Sequence, residues 1–235
     1  MAATLRQLRR QLSTLANPER AANLQRYFKT GPGQYAEGDR FIGIRVPQLR
    51  KLAREFELLP EADVHNLLHS SIHEERLLAL LLLVRRFEQA GLQTQKPIYT
   101  FYLANTRFIN NWDLVDLSAP TILGTYLYER DKRPLYRLSR SSSVWERRMS
   151  VLACFYFIKN NAFHDALRVA ELLLTDEHDL IHKAVGWMLR EIGKRNLAQE
   201  EAFLKSHCRN MPRTMLRYAI EKFPETKRLR YLKAV

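Results

Sequence analysis

An all-α solenoid of stacked helix pairs is the fold class this sequence predicts, on three observations. Apolar residues recur at helical rather than alternating spacing in almost every segment, so strands are not needed. Proline and glycine fall between those segments and punctuate them. The chain also resembles itself: "SSIHEERLLALLLLVRRF" from Ser70 and "SSVWERRMSVLACFYFIK" from Ser142 align at an offset of 72, pairing Glu74 with Glu146 and Arg76 with Arg148. Half of that offset, about 36 residues with two helices per unit, is the signature of an α-solenoid or superhelix of HEAT-like repeats.

The elements follow in order. A first amphipathic helix ends before Asn17-Pro18 and a second ends near Lys29, so 1–29 is read as N-terminal helices. The Gly-rich stretch "TGPGQYAEGDRFIGIRV" makes 30–46 the one long loop. Residues 47–235 are read as helical repeats, with Pro60, Pro97, Pro134 and Pro212 each placed to open the first turn of a helix. Together these form a single domain over 1–235.

At 235 residues and 46% hydrophobic content the chain can bury a real core. Thirty-eight Lys and Arg against 25 Asp and Glu give a net charge of +13, which suits a polyanionic partner such as nucleic acid or an anionic membrane surface. A solvated basic surface without a partner is the alternative. Cys154 and Cys208 have no ligand-like spacing, and His164, His178 and His182 lack the HExxH pattern, so no metal and no cofactor are expected. "GPGQYAEG" lacks the residues of a phosphate-binding loop. The longest apolar run, Leu77 to Val84, is too short to span a bilayer, and the N-terminus has no apolar h-region. A soluble, cytoplasmic monomer with no obligate protein partner is the expectation.

The repeat phase carries the functional argument. Stepping from Arg76 by about one repeat reaches Trp112, Arg148, Lys183 and Arg217, and equivalent positions in stacked repeats line one face. That face, concave and basic, can track a phosphate backbone. One turn beyond the ladder stand Asp116 and Trp187, since residues four apart share a helix face. A carboxylate facing phosphate is repelled, so Asp116 either pairs structurally with cations or meets positive charge developing on a substrate. Exposed indoles beside cations can stack on bases, pack against sugars or bind a cation; core burial is the other reading of Trp112 and Trp187, and the preferred one for Trp145. Asp113 is read as orienting a neighbour or facing the adjacent helix. The basic tail "ETKRLRYLKAV" reads as a solvated helix end, with DNA contact as the alternative.

Five segments in order, "RYFKTGPGQYAEGDRFIGIRVPQLRKLAR", "NNWDLVD", "WERRMSVL", "HKAVGWMLREIGK" and "MPRTMLRYAIEK", resemble the AlkD family of DNA alkylation repair glycosylases, over about Pro18 to Phe223. The resemblance implies a superhelix of HEAT-like repeats holding duplex DNA in its concave face, and hydrolysis of the N-glycosidic bond of cationic N3- or N7-alkylated purines. It places the catalytic carboxylate at Asp116, the two indoles flanking the deoxyribose at Trp112 and Trp187, a phosphate-contacting arginine at Arg148, and a lesion-strand tyrosine at Tyr27. Arg45 stands in "GIRVP" where the family has glutamine, which puts substrate range and activity in question. The chemistry that goes with this is simple: an alkylated purine already carries positive charge and leaves without a general acid, so one carboxylate that stabilises the oxocarbenium-like sugar suffices. A HEAT-like module that binds DNA by shape without catalysis, and a protein-binding solenoid, are the competing readings.

Overall fold

The computed structural model describes residues 4–233; of the expected N-terminal helices residues 1–3, and of the basic tail residues 234 and 235, lie outside them. Among the described residues the secondary structure is helical, with one isolated parallel bridge between Arg40 and Ile72 and no strand. The chain packs as two compact units, divided between Ser118 and Ala119.

The first unit holds α1 (Leu5–Leu15), α2 (Pro18–Tyr27), α3 (Val46–Glu55), α4 (Glu61–Leu68), α5 (His73–Gln89), α6 (Leu92–Ala104) and α7 (Trp112–Asp116). Thr4 and Gln7 close a capping box at the start of α1, and Leu8 and Leu12, four apart on one face, are its buried residues. Asn17 caps α2, its Oδ1 accepting from the Arg20 N–H at 2.8 Å, and Pro18 occupies the first turn where its missing N–H costs nothing. Both α3 and α4 pack on helix α5, and its central run Leu77–Val84, apolar all round, is buried throughout.

Pro97 departs from expectation. It lies inside α6 rather than at its start, because α6 begins five residues earlier at Leu92. At the sixth helical position the proline forgoes the bond that an N–H there would make to the Gln93 carbonyl.

The loop expected over 30–46 lies between α2 and α3 and is pinned from α5. The buried Glu74 carboxylate accepts the N–H groups of Ile42 (3.0 Å), Gly43 (2.7 Å) and Ile44 (3.2 Å). Gly43 has φ of 82°, and a Cβ there would come within 2.8 Å of the Ala21 nitrogen, so only glycine lets the loop lie against α2.

The second unit begins with a π-helical turn over Pro120–Gly124, where proline has no N–H for an α-helical ladder. It continues through α8 (Thr125–Tyr128), α9 (Arg133–Ser139), α10 (Val144–Lys159), α11 (His164–Leu172), α12 (Asp179–Gly193), α13 (Leu197–His207), α14 (Arg213–Ala219) and α15 (Glu225–Lys233). Helices α9 and α10, α11 and α12, and α13 and α14 alternate along the chain, while α10, α12 and α14 pack in a row, each on the next. The same close approach occurs twice in this unit, once between the π-helical turn and α10 and once between α12 and α14. A Cβ on Gly124 would meet the Ala153 carbonyl at 2.5 Å and Tyr156 Cβ at 2.7 Å; one on Gly186 would meet the Met215 carbonyl and, at 2.6 Å, Tyr218 Cβ. The partners lie 29 and 32 residues on in both cases, so successive helix pairs meet in one recurring geometry. Trp145 is buried, in agreement with its core reading, as are the free thiols of Cys154 and Cys208. Among the described residues no helix is long and apolar enough to cross a membrane.

Candidate functional site

Helix α7 is short, and its sequence explains its placement. Asn111 caps it, its Oδ1 accepting the Trp112 N–H at 2.8 Å, and Asp113 Oδ1 accepts the Leu114 N–H at 2.9 Å. An acidic first turn suits the positive end of the helix. Leu114 and Val115 are fully buried, while Trp112 and Asp116, one turn apart, are half-buried on a common side. Close spacing of indole and carboxylate thus follows from a five-residue helix whose central residues anchor it in the core.

The Trp112 ring extends an aromatic stack. It lies parallel to Phe28, with centroids 4.9 Å apart and planes at 6°, and Tyr27 meets it edge-on at 6.1 Å. Tyr27 is 66% exposed, so its other face is open to solvent. Behind Phe28 lie Phe41 (4.8 Å) and His73 (5.3 Å), and Phe41 itself stacks on His73 at 4.3 Å.

Beneath the stack is a buried charge network. His73 at the start of α5 lies with Nδ1 3.1 Å from Asp39 Oδ2 and Nε2 2.8 Å from Asp113 Oδ2. Asp39, on the loop, also accepts from Arg76 Nη2 at 2.6 Å and Asn111 Nδ2 at 3.1 Å. Burial pushes the Asp39 carboxyl up, but the His73 hydrogen bond, the Arg76 charge and the Asn111 hydrogen bond together outweigh it and hold the group below the ordinary carboxylate range. Asp113 therefore faces the adjacent helix and orients His73.

Asp116 stands next to a second polar feature. The buried Tyr102 phenol shares a 2.8 Å hydrogen bond with Ser118 Oγ, and burial first, with the Asp116 charge adding to it, pushes that phenol well up. Asp116 thus lies close enough to the Tyr102 phenol to act on it electrostatically, and is partly open to solvent.

Two ladder cations differ from expectation. Arg76 is buried, with Nη1 donating to the Ser70 carbonyl at 2.9 Å and Nη2 paired with Asp39, so its charge is committed inside the first unit and not offered to phosphate. Arg148 is also buried, its Nη1 donating to the Leu180 carbonyl at 2.6 Å and tying α10 to the start of α12. In both cases a buried guanidinium needs partners, and the tertiary structure supplies them. Lys183 is half-buried and paired with Asp179 at 2.6 Å, and Arg217 and Arg45 are exposed. Trp187 is half-buried beside Phe155 (5.7 Å), its Nε1 donating to Glu191 at 3.2 Å. Sequence reasoning missed Phe28, Asp39, Phe41, His73 and Glu74. Their roles come from contacts among segments far apart in the chain, and no local pattern marks them.

Residues 8–223 match the family described as DNA alkylation repair enzyme. No curated protein sequence matches the chain. Among solved structures, a predicted DNA alkylation repair enzyme from Enterococcus faecalis aligns with a TM-score of 0.67 at 18% identity, covering 89% of this chain and 97% of its own. AlkD2 from Streptococcus mutans aligns with a TM-score of 0.56 at 19% identity, covering 94% and 97%, and smu.31 from Streptococcus mutans UA159 aligns with 0.56 at 18%, covering 94% and 99%. At such identities the structures speak for the fold, whereas the family match spans nearly the whole chain and takes in α7 with its indole and carboxylate. The protein therefore belongs to the DNA alkylation repair enzyme family.

Proposed function

We propose that the protein is a DNA glycosylase that hydrolyses the N-glycosidic bond of N3- and N7-alkylated purines in duplex DNA. The observation that carries this reading is the pairing on α7 of a half-buried indole, stacked on Phe28 and flanked by the exposed Tyr27, with a half-buried carboxylate one turn on. An alkylated purine takes the electron pair of the breaking bond and becomes neutral, leaving positive charge on the sugar. Asp116 stabilises that cation and orients the attacking water, which bonds to the sugar carbon and gives up a proton. Trp112 offers an aromatic face to the cationic sugar, and Trp187 of the second unit is assigned the same task by resemblance. Tyr27, Arg45, Lys183 and Arg217 are assigned to the DNA backbone. Arg148 is assigned to it by resemblance, and Arg76 supports the site from within. The single-domain reading of 1–235, a monomeric state and a cytoplasmic location belong to the same proposal, and no cofactor enters it.

The test is single-turnover release of 7-methylguanine from a duplex, for wild type and Asp116→Asn. The substitution keeps size and removes charge, so the rate should fall by about 10²- to 10³-fold. Affinity for undamaged duplex should be unchanged or slightly stronger. A wild-type protein that binds duplex DNA but releases no alkylated base, with Asp116→Asn indistinguishable from it, would instead favour a HEAT-like module that recognises DNA shape.

A further inference from the structure

We propose that His73 is a positioning residue for the α7 site: a buried, doubly protonated imidazolium that ties the Gly-rich loop to α7 and so sets the place of Trp112 and Asp116. The proposal rests on the reading of α7 as the reacting site.

The geometry calls for two donors. The His73 side chain is 1% exposed, and each ring nitrogen faces a carboxylate oxygen, Asp39 at 3.1 Å and Asp113 at 2.8 Å. An ionised carboxylate only accepts, and a neutral imidazole donates from one nitrogen while presenting a lone pair at the other. A neutral ring would set that lone pair against a carboxylate oxygen. Asp39 is kept ionised by Arg76 and Asn111, which donate to it as well. With the ring protonated, His73 and Arg76 balance Asp39 and Asp113; with it neutral, a net negative charge is left among buried groups. The other charges at this end of α5 are engaged elsewhere: Glu74 accepts the loop N–H groups, and Glu75 pairs with Arg9 of α1 at 2.9 Å. Phe28 and Phe41 lie against the His73 ring, both of them aromatic. Burial pulls the imidazole down, but the bonds to Asp113 and Asp39 outweigh it and hold its pKa above the ordinary value.

The hold on Trp112 comes through both of its neighbours in sequence. Asn111 donates to Asp39 and accepts the Trp112 N–H, while Asp113 accepts from His73 with one oxygen and from the Leu114 N–H with the other. Phe28 lies against His73 and against Trp112 as well. Because the folded pKa is raised above the ordinary 6.5, the stabilisation is complete below that value and is lost as pH rises through the folded pKa. The site should loosen on the alkaline side.

Two measurements on the full chain test this. Protein labelled with ¹⁵N-histidine should show protons on both His73 nitrogens at neutral pH, and Asp113→Asn should move the His73 titration to lower pH. In protein labelled with 5-fluorotryptophan, His73→Gln should shift the Trp112 resonance, identified by its loss in Trp112→Phe, while those of Trp145 and Trp187 stay in place. Single-turnover excision should fall roughly 10- to 100-fold in His73→Gln, as expected for a displaced reacting group, with binding of undamaged duplex within about twofold and without the alkaline limb of the wild-type profile. If His73→Gln does not fold, Asp113→Asn carries the same comparison. A neutral, single-tautomer His73 at neutral pH, or a Trp112 resonance indifferent to both substitutions, would overturn the proposal. If the wild type excises nothing, the glycosylase reading fails, whereas the two resonance measurements still decide what His73 does.

Discussion

Replacing Gly186 by alanine tests whether the row of helices in the second unit is as closely packed as its geometry requires. An alanine Cβ would stand 2.6 Å from Tyr218 Cβ and closer still to the Met215 carbonyl, where an ordinary contact needs at least 3.4 Å. Two of the atoms met are backbone, the Met215 carbonyl and the Ala219 nitrogen, so no side-chain rotation relieves the clash and α14 must move by the better part of an ångström. Overpacking of this kind costs about 1 to 3 kcal/mol, at the upper end where backbone shifts. Against it stands a gain of about 1 kcal/mol from replacing glycine inside a helix. The net loss is about 1 to 2 kcal/mol, roughly 3 to 8 °C in Tm for a unit of this size. The adjacent Trp187 and, on α14, Arg217 would shift with it, so DNA affinity should fall as well. Thermal unfolding followed by circular dichroism is the assay. An unchanged or higher Tm would mean that helix propensity prevails and that α12 and α14 do not meet closely.

Other expectations follow from single contacts. Glu74→Gln keeps one acceptor oxygen for the Gly43 and Ile44 N–H groups but turns an NH2 toward the Ile42 N–H and removes the charge, so it should cost about 1 to 3 kcal/mol in urea unfolding and open the loop to protease. Glu200 is buried, and desolvation first, with the nearby Glu201 charge, raises its pKa to about 8. Its folded pKa exceeds its ordinary 4.5, so the folded state binds the extra proton and stability should decline as pH rises from about 4.5 to about 8. Glu200→Gln should flatten that slope, read as Tm against pH. Arg148→Ala should lower stability by about 1 to 3 kcal/mol by removing the bond to Leu180 and leaving the carbonyl behind; full stability with loss of DNA binding alone would restore a purely phosphate-facing role.

Much of the fold was legible because its causes are local. Helical spacing, the Asn17-Pro18 start of α2 and the glycine-rich break between α2 and α3 all depend on neighbours in sequence, although the loop's hold on Glu74 does not. The repeat phase was legible in part: Arg76 is the fourth residue of α5, and Arg148, Lys183 and Arg217 are each the fifth of α10, α12 and α14, whereas Trp112, the remaining ladder position, is the first of α7. The pairing of Trp112 with Asp116 on one side of α7 follows from the same helical period. Pro97 misled because a proline early in a helix resembles one at its start.

What a cation at a repeat position does was not legible. Arg76 and Arg148 share their phase with the exposed Arg217, but they bond to Asp39, 37 residues earlier, and to Leu180, 32 residues later. The sequence by itself determined that the chain is a stack of helices with an indole and a carboxylate on one short turn, because periodicity and capping act over a few residues. Only the tertiary structure decided which charges are buried, that His73 lies between Asp39 and Asp113, and that Trp112 stacks on Phe28. The energy of a buried charge or an aromatic stack depends on partners that folding alone brings within reach.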